Sequence, residues 1–108
     1  MTKPLGEFEQ LVLLALMHLG DDAYGVVVQR EISRRTGRAT SFGTVYTTLA
    51  RLEEKGLIGS HLGESTPERG GRRKKYFRIL APGRKAVAAS LKALRTMTRG
   101  LDASWNLP

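Results

Sequence analysis

SFGTVYTTLARLEEKGLI at residues 41–58, RGGRRKK at 69–75 and YFRIL at 76–80 form the block whose reading decides the fold. Thr40 or Ser41 can cap a helix whose core contacts are Val45, Leu49 and Leu52, spaced i, i+4, i+7, and Gly56 closes it after Lys55. The remaining faces then show Thr44, Thr47, Thr48 and Arg51, short donors and a long cation able to reach base edges and phosphates. Leu57 to Leu62 and Lys75 to Leu80 are short, apolar-rich and strand-like, and the stretch between them contains Pro67, Gly70 and Gly71. They predict a hairpin with an extended, cationic tip. Such a helix beside such a loop suits a DNA duplex.

The charge distribution points the same way. The formal net charge is +8, and Arg69, Arg72, Arg73, Lys74, Lys75 and Arg78 lie within ten residues that contain no acid. Residues 1–22, by contrast, set Lys3 against Glu7, Glu9, Asp21 and Asp22. A basic surface polarised in this way points to a polyanion. The chain has no cysteine, which excludes disulfides, thiolate zinc sites and a cysteine nucleophile. No apolar run approaches the roughly 18 residues of a membrane span, and the N-terminus lacks the features of a signal peptide, so a cytoplasmic protein is expected. At 108 residues one domain is the default, burying roughly 65% of its unfolded surface.

Outward from the block, Phe8 to Leu19 reads as a helix, with Glu7 and Glu9 near its positive end and Gly20 placed to stop it. Every residue from 11 to 17 is apolar, too apolar for a helix that covers one core, so burial on two sides is expected. Asp21 and Asp22 can cap a second helix from about Ala23 to Thr36, with Tyr24, Val28 and Ile32 at helical spacing and Gln29, Arg30, Arg34 and Arg35 facing outward. Pro82 suits the first turn of a last helix from about Ala81 to Arg99, where Val87, Leu91, Leu94 and Leu101 follow a three-four spacing beside Met97. The order is mainly α with a small β-hairpin, a winged helix-turn-helix followed by a C-terminal helix.

These segments resemble the PadR-like transcriptional regulators, specifically their short members with one C-terminal helix. The resemblance rests on LGEFEQLVLLAL at 5–16, DDAYG at 21–25, GTVYTTLARLEEKGLI at 43–58, ERGGRRKKYFRI at 68–79 and PGRKA at 82–86. Many relatives carry proline after the tyrosine matching Tyr46, whereas Thr47 stands here. The resemblance implies a homodimer joined by the first and last helices, the third helix in the major groove, and a wing on the backbone or minor groove. It also implies repression of a nearby promoter, relieved by a small molecule or another signal.

The expected division is a DNA-binding domain over 5–80, a dimerisation helix over 81–101 that packs with the first helix, and a tail over 102–108. The recognition set is Ser41, Thr44, Tyr46, Thr47, Thr48 and Arg51, with Tyr24 at the start of the second helix and Arg69, Arg72, Arg73, Lys74 and Lys75 on the wing. The interface set is Leu11, Leu14, Val87, Leu91, Leu94, Met97 and Leu101. The two over-apolar helices each call for a partner surface, and a two-fold dimer supplies one because the same patch can be self-complementary.

Each feature also has a plainer reading. Threonines and an arginine on one face form an ordinary solvated helix face when they stand alone; the neighbouring basic wing favours DNA. Tyr46 either points its hydroxyl at a phosphate or packs its ring between helix and core, and Tyr24 either joins helix amides around a phosphate or packs. Trp105 is read as a tail anchor, and Met17, Leu91, Leu94 and Met97 as core or interface before effector cavity. His18 and His61 have no partner at metal-ligand spacing, so neither metal nor cofactor is expected. No catalytic grouping stands out, so an enzyme is a distant reading. The competing classes are a sequence-independent nucleic-acid coat and a winged helix that docks an acidic protein.

Overall fold

The computed structural model describes residues 4–63 and 73–101. In chain order these hold α1 (Glu7–Leu19), a 3-10 turn (Gly20–Asp22), α2 (Gly25–Thr36), α3 (Phe42–Glu54), β1 (Ile58–Leu62), β2 (Lys75–Ile79) and α4 (Ala81–Thr98). The fold is mainly helical with one antiparallel hairpin and a C-terminal helix, as the sequence predicts.

α1 is the centre of the packing. Its first turn is closed by Glu9, whose Oε1 accepts a hydrogen bond from the Gly6 N–H at 3.0 Å, and its end falls at Gly20, where φ is +60°. Val12, Leu13, Ala15 and Leu16 are buried, and α1 contacts α2, α3, α4 and β2. Burial on more than one side is therefore met largely within one chain. What remains is a narrow strip: Leu11 and Leu14 are half-buried and Met17 is exposed.

α2 begins at Gly25, later than the sequence suggests, and Asp21 and Asp22 do not cap it. They form the 3-10 turn, and the residue preceding the helix is Tyr24, with φ −114° and ψ 163° and no side-chain cap. The reason lies in β2. Its Phe77 N–H donates to the Ala23 carbonyl at 2.8 Å, and Tyr24 bridges antiparallel to Tyr76. Tyr24 is thus held extended as a stub of sheet, which fixes the hairpin against the entrance to α2.

α3 starts at Ser41, whose Oγ accepts from the Thr44 N–H at 3.1 Å and donates to the Thr44 hydroxyl at 2.7 Å. Val45, Leu49 and Leu52 are buried as their spacing predicts, and so is Thr48 at 5% exposure. Its hydroxyl donates to the Thr44 carbonyl at 2.8 Å, satisfying the group inside the helix rather than displaying it. The reading face is narrower than the sequence suggests, because Thr48 lies three residues past Val45 and shares its side of the helix.

The two strands pair Ile58 with Ile79 through Leu62 with Lys75, and Phe77 reaches the core. α4 then leaves with Pro82 in its first turn. Gly83 lies so close to the turn before β1 that a Cβ there would stand 2.3 Å from the Leu57 carbonyl oxygen. One turn on, Val87 is 3% exposed and part of the core. It is therefore not available to a second copy: the α1–α4 contact inside one chain already covers it.

Candidate nucleic-acid interface

Once Val45, Thr48, Leu49 and Leu52 are turned inward, α3 exposes Ser41, Thr44, Tyr46, Thr47 and Arg51. Ser41, Gly43, Thr44, Thr47, Thr48 and Arg51 line a shallow open depression of about 490 Å³. Gly43 leaves its floor without a side chain. The result is a helix surface of small hydroxyl groups with one long cation at its far end, a shape that fits against base edges and phosphates.

The wing's base is fixed by aromatic contacts. Tyr24 meets Tyr76 edge-on at 5.5 Å between centroids, and His61 stacks on Tyr76 at 5.6 Å. Lys74 holds its Nζ 4.4 Å from the centre of the Tyr24 ring, within the range of a cation–π contact. Tyr24 is half-buried here, so it packs while standing beside a wing cation. Gly63 permits the approach of the strands, because a Cβ there would lie 2.6 Å from the Tyr76 ring. Arg73, just beyond, donates from Nε to the Gly63 carbonyl at 2.7 Å and is otherwise exposed. Arg69, Arg72 and Trp105 lie outside the described residues.

Acids sort the cations. Among the described residues, ion pairs engage Arg34 and Arg35 with Glu31, Arg38 with Glu7, Lys55 with Glu9, and Lys75 with Glu53. They do not engage Arg51, Arg73 or Lys74. Lys75, expected as a wing contact, sits 3.4 Å from Glu53, whose carboxyl also accepts a hydrogen bond from Ser60. That bond and the Lys75 charge hold Glu53 below the usual carboxylate range despite partial burial. Lys75 thus helps tie the hairpin to α3, and among the described residues of α3 and the wing the exposed cations outside these ion pairs are Arg51, Arg73, Lys74 and Arg78.

Two aromatic side chains complete this surface, Tyr46 of the expected recognition set and Phe42, which that set does not include. Tyr46 does not pack into the core: it is exposed, and its ring tilts against Phe42 at 5.6 Å. Phe42 itself is 42% exposed at the first position of α3. The signal was the i, i+4 pairing of the two aromatics off the core stripe.

The expected interface residues fall elsewhere on the chain. Leu91 is half-buried, whereas Leu94, Met97 and Leu101 are 56%, 77% and 56% exposed. Beside them, between the start of α1 and α4, lies a groove of about 800 Å³ lined by Leu5, Leu57, Ala89 and Leu94 and by Lys55 and Lys85. Among the described residues no group of three or more His, Cys, Asp or Glu is placed to hold a metal, and no helix is long and apolar enough to cross a membrane.

Three helices with a buried stripe on the third, a hairpin tied to the second, and a polar reading face flanked by cations define a winged helix-turn-helix. The sequence profile of the PadR-like transcriptional regulator family matches residues 13–89, and the chain belongs to that family, whose members are DNA-binding regulators of transcription. Solved structures agree. A transcriptional regulator from Clostridium thermocellum superposes with a TM-score of 0.70 at 28% identity, covering 84% of this chain and 85% of that one. A PadR-like transcription factor from Bacteroides fragilis gives 0.69 at 24%, covering 88% and 89%. A PadR family regulator from Clostridium difficile R20291 gives 0.66 at 23%, covering 85% and 92%. No curated protein sequence matches the chain.

Proposed function

We propose that the protein is a homodimeric repressor of adjacent genes that reads an inverted repeat, and that a small molecule or another signal relieves it. The observation that carries this reading is the single exposed face of α3, with Ser41, Thr44, Thr47 and Arg51 together and Tyr24 and Lys74 at the wing's base. In this reading α3 supplies sequence preference, while Arg73, Lys74 and the cations of the wing tip, Arg69 and Arg72, supply affinity. Residues 5–80 form the reading domain and 81–101 the dimerisation helix.

A second copy is supported by Leu94 and Met97 at the end of α4 and Leu101 just beyond it, all exposed apolar residues, with Leu11, Leu14 and Leu91 as half-buried residues of the same two helices. Two-fold pairing would set the recognition helices about 34 to 36 Å apart, one turn of DNA. The groove between α1 and α4 is roomy enough for an effector of the size usual for small-molecule sites. A DNA reader of this kind works in the cytoplasm.

Fluorescence anisotropy with the DNA upstream of the protein's own coding sequence tests the proposal. Preference over scrambled duplex should reach roughly 10³-fold, with affinity falling steeply as salt rises because counterions are displaced. Equal affinity for both duplexes would replace the repressor with a sequence-independent nucleic-acid coat. Failure to bind any duplex at low salt would instead favour a winged helix that docks an acidic protein.

A further inference from the structure

We infer that Phe42 is a specificity determinant that reads the 5-methyl group of a thymine, one contact in each half-site; the inference rests on α3 being the helix that enters the major groove. Phe42 is the first residue of α3, directly after the capping Ser41, and 42% of it is exposed. The part of a phenyl ring left in water contributes nothing to the fold. Here the ring is also held in place: a Cβ on Gly25 would lie 2.9 Å from Phe42 Cε2, so that side of the ring rests on the first turn of α2. Tyr46, one turn along, lies against it with centroids 5.6 Å apart and a 41° tilt.

The ring is thus fixed from two sides and open on the rest, at the end of the helix that leads into the groove. B-form DNA hides the faces of its bases, so an apolar group on a reading helix meets base edges. In the major groove the apolar group that projects from those edges is the thymine methyl. Thr44, whose hydroxyl is already bonded to Ser41, and Thr47 serve polar edges and phosphates better than a methyl group. Phe42 brings an apolar surface of the right kind without a mobile side chain to be ordered, because Tyr46 and the α2 backbone limit its rotation.

The full-length protein should first recover its duplex by selection from a random pool. Each thymine of that duplex is then replaced by deoxyuridine in both half-sites, removing one methyl from each, and affinity is read by anisotropy. One symmetric position should lose about 4-fold per half-site, the value of burying one methyl, or roughly 15-fold for the pair. Phe42→Ala should weaken binding to the thymine duplex and abolish the deoxyuridine penalty at that position alone. If Phe42→Ala does not fold by circular dichroism, Phe42→Leu decides the point and should shrink the penalty. A recovered duplex with no sensitive thymine, or an undiminished penalty in the variant, would overturn the role of Phe42 and leave α3 as the reader. Recovery of no preferred duplex would defeat the reading helix itself.

Discussion

α1 and the outer half of α4 are both rich in leucine and methionine, yet their side chains meet opposite fates. In α1, Leu13 is fully buried because α2, α3, α4 and β2 all close around the helix. In α4, coverage thins after Val87: Leu91 is only half-buried, and the same kind of residue at Leu94 and Met97 faces water. The difference teaches that apolar spacing states a need for cover without saying which chain provides it. For α1 the cover is the protomer; for α4 beyond its second turn it must come from outside the protomer or be missing.

Truncation should separate the two regions most sharply. Leu13→Ala opens a cavity among elements that cannot all move to fill it, and should cost about 2–5 kcal/mol of unfolding free energy in urea titration. A loss below about 1 kcal/mol would mean that α1 is far less tightly enclosed than its contacts indicate. Next in size is the joint between the regions. Gly83→Ala would set a methyl 2.3 Å from a backbone oxygen and 2.9 Å from Ile79 Cγ1. The backbone cannot yield as a side chain would, so roughly 1–3 kcal/mol should be lost, with α4 shifted from its seat at the turn before β1. An unchanged thermal midpoint would show that α4 slides freely on that turn.

Legibility in the sequence followed the same divide. Helix and strand positions were readable because Val45, Leu49 and Leu52, or the caps Ser41 and Gly20, act through near neighbours in the chain. Thr48 was misread as outward because its hydroxyl can be satisfied by its own helix, which removes the usual objection to burying it. Asp21 and Asp22 looked like caps because nothing local reveals that β2, some fifty residues on, claims the backbone of Ala23 and Tyr24. Lys75 belonged by composition to the wing, but its partner Glu53 lies on another element. The reading face is legible in Ser41, Thr44, Thr47 and Arg51, whereas the seat of Phe42 depends on Gly25 of another helix, which residue spacing within α3 does not reveal.

A polar probe of the same contrast is Glu9. It is buried in the first turn of α1 with Lys55 Nζ 2.7 Å away, whereas the cations of α4 face solvent. Burial, the largest single influence, pushes its carboxyl up; the hydrogen bonds from Lys55 and the Gly6 N–H, with the charges of Lys55 and Arg51, together outweigh it and hold the carboxyl below its usual value. A carboxyl depressed in the folded state contributes stability that is present above its unfolded pKa of about 4.3 and is lost as pH falls through the lower folded value. Lys55 is partly exposed and screened, so Glu9→Gln should cost only about 1 kcal/mol at pH 7. The gap between native and variant should close below about pH 4.3 in urea unfolding. A gap that stays constant through that range would assign the loss to packing instead of charge.

The smallest effect on folding should come from Met97→Lys, and it is the most telling for α4. Met97 is 77% exposed, so the protomer loses almost no contact when it changes, and its own stability should move by no more than about 0.5 kcal/mol. In the proposed dimer association should respond very differently, because a charge set into an apolar contact between copies is desolvated without a partner. The native protein's unfolding midpoint should rise with protein concentration, as it must when folding and dimerisation are linked, and the variant's should not. Sedimentation equilibrium should return the dimer mass for the native protein and the monomer mass for the variant. If Met97→Lys remains a dimer with the same concentration dependence, the exposed apolar end of α4 does not join two copies, and the cover for that helix must be sought in another partner.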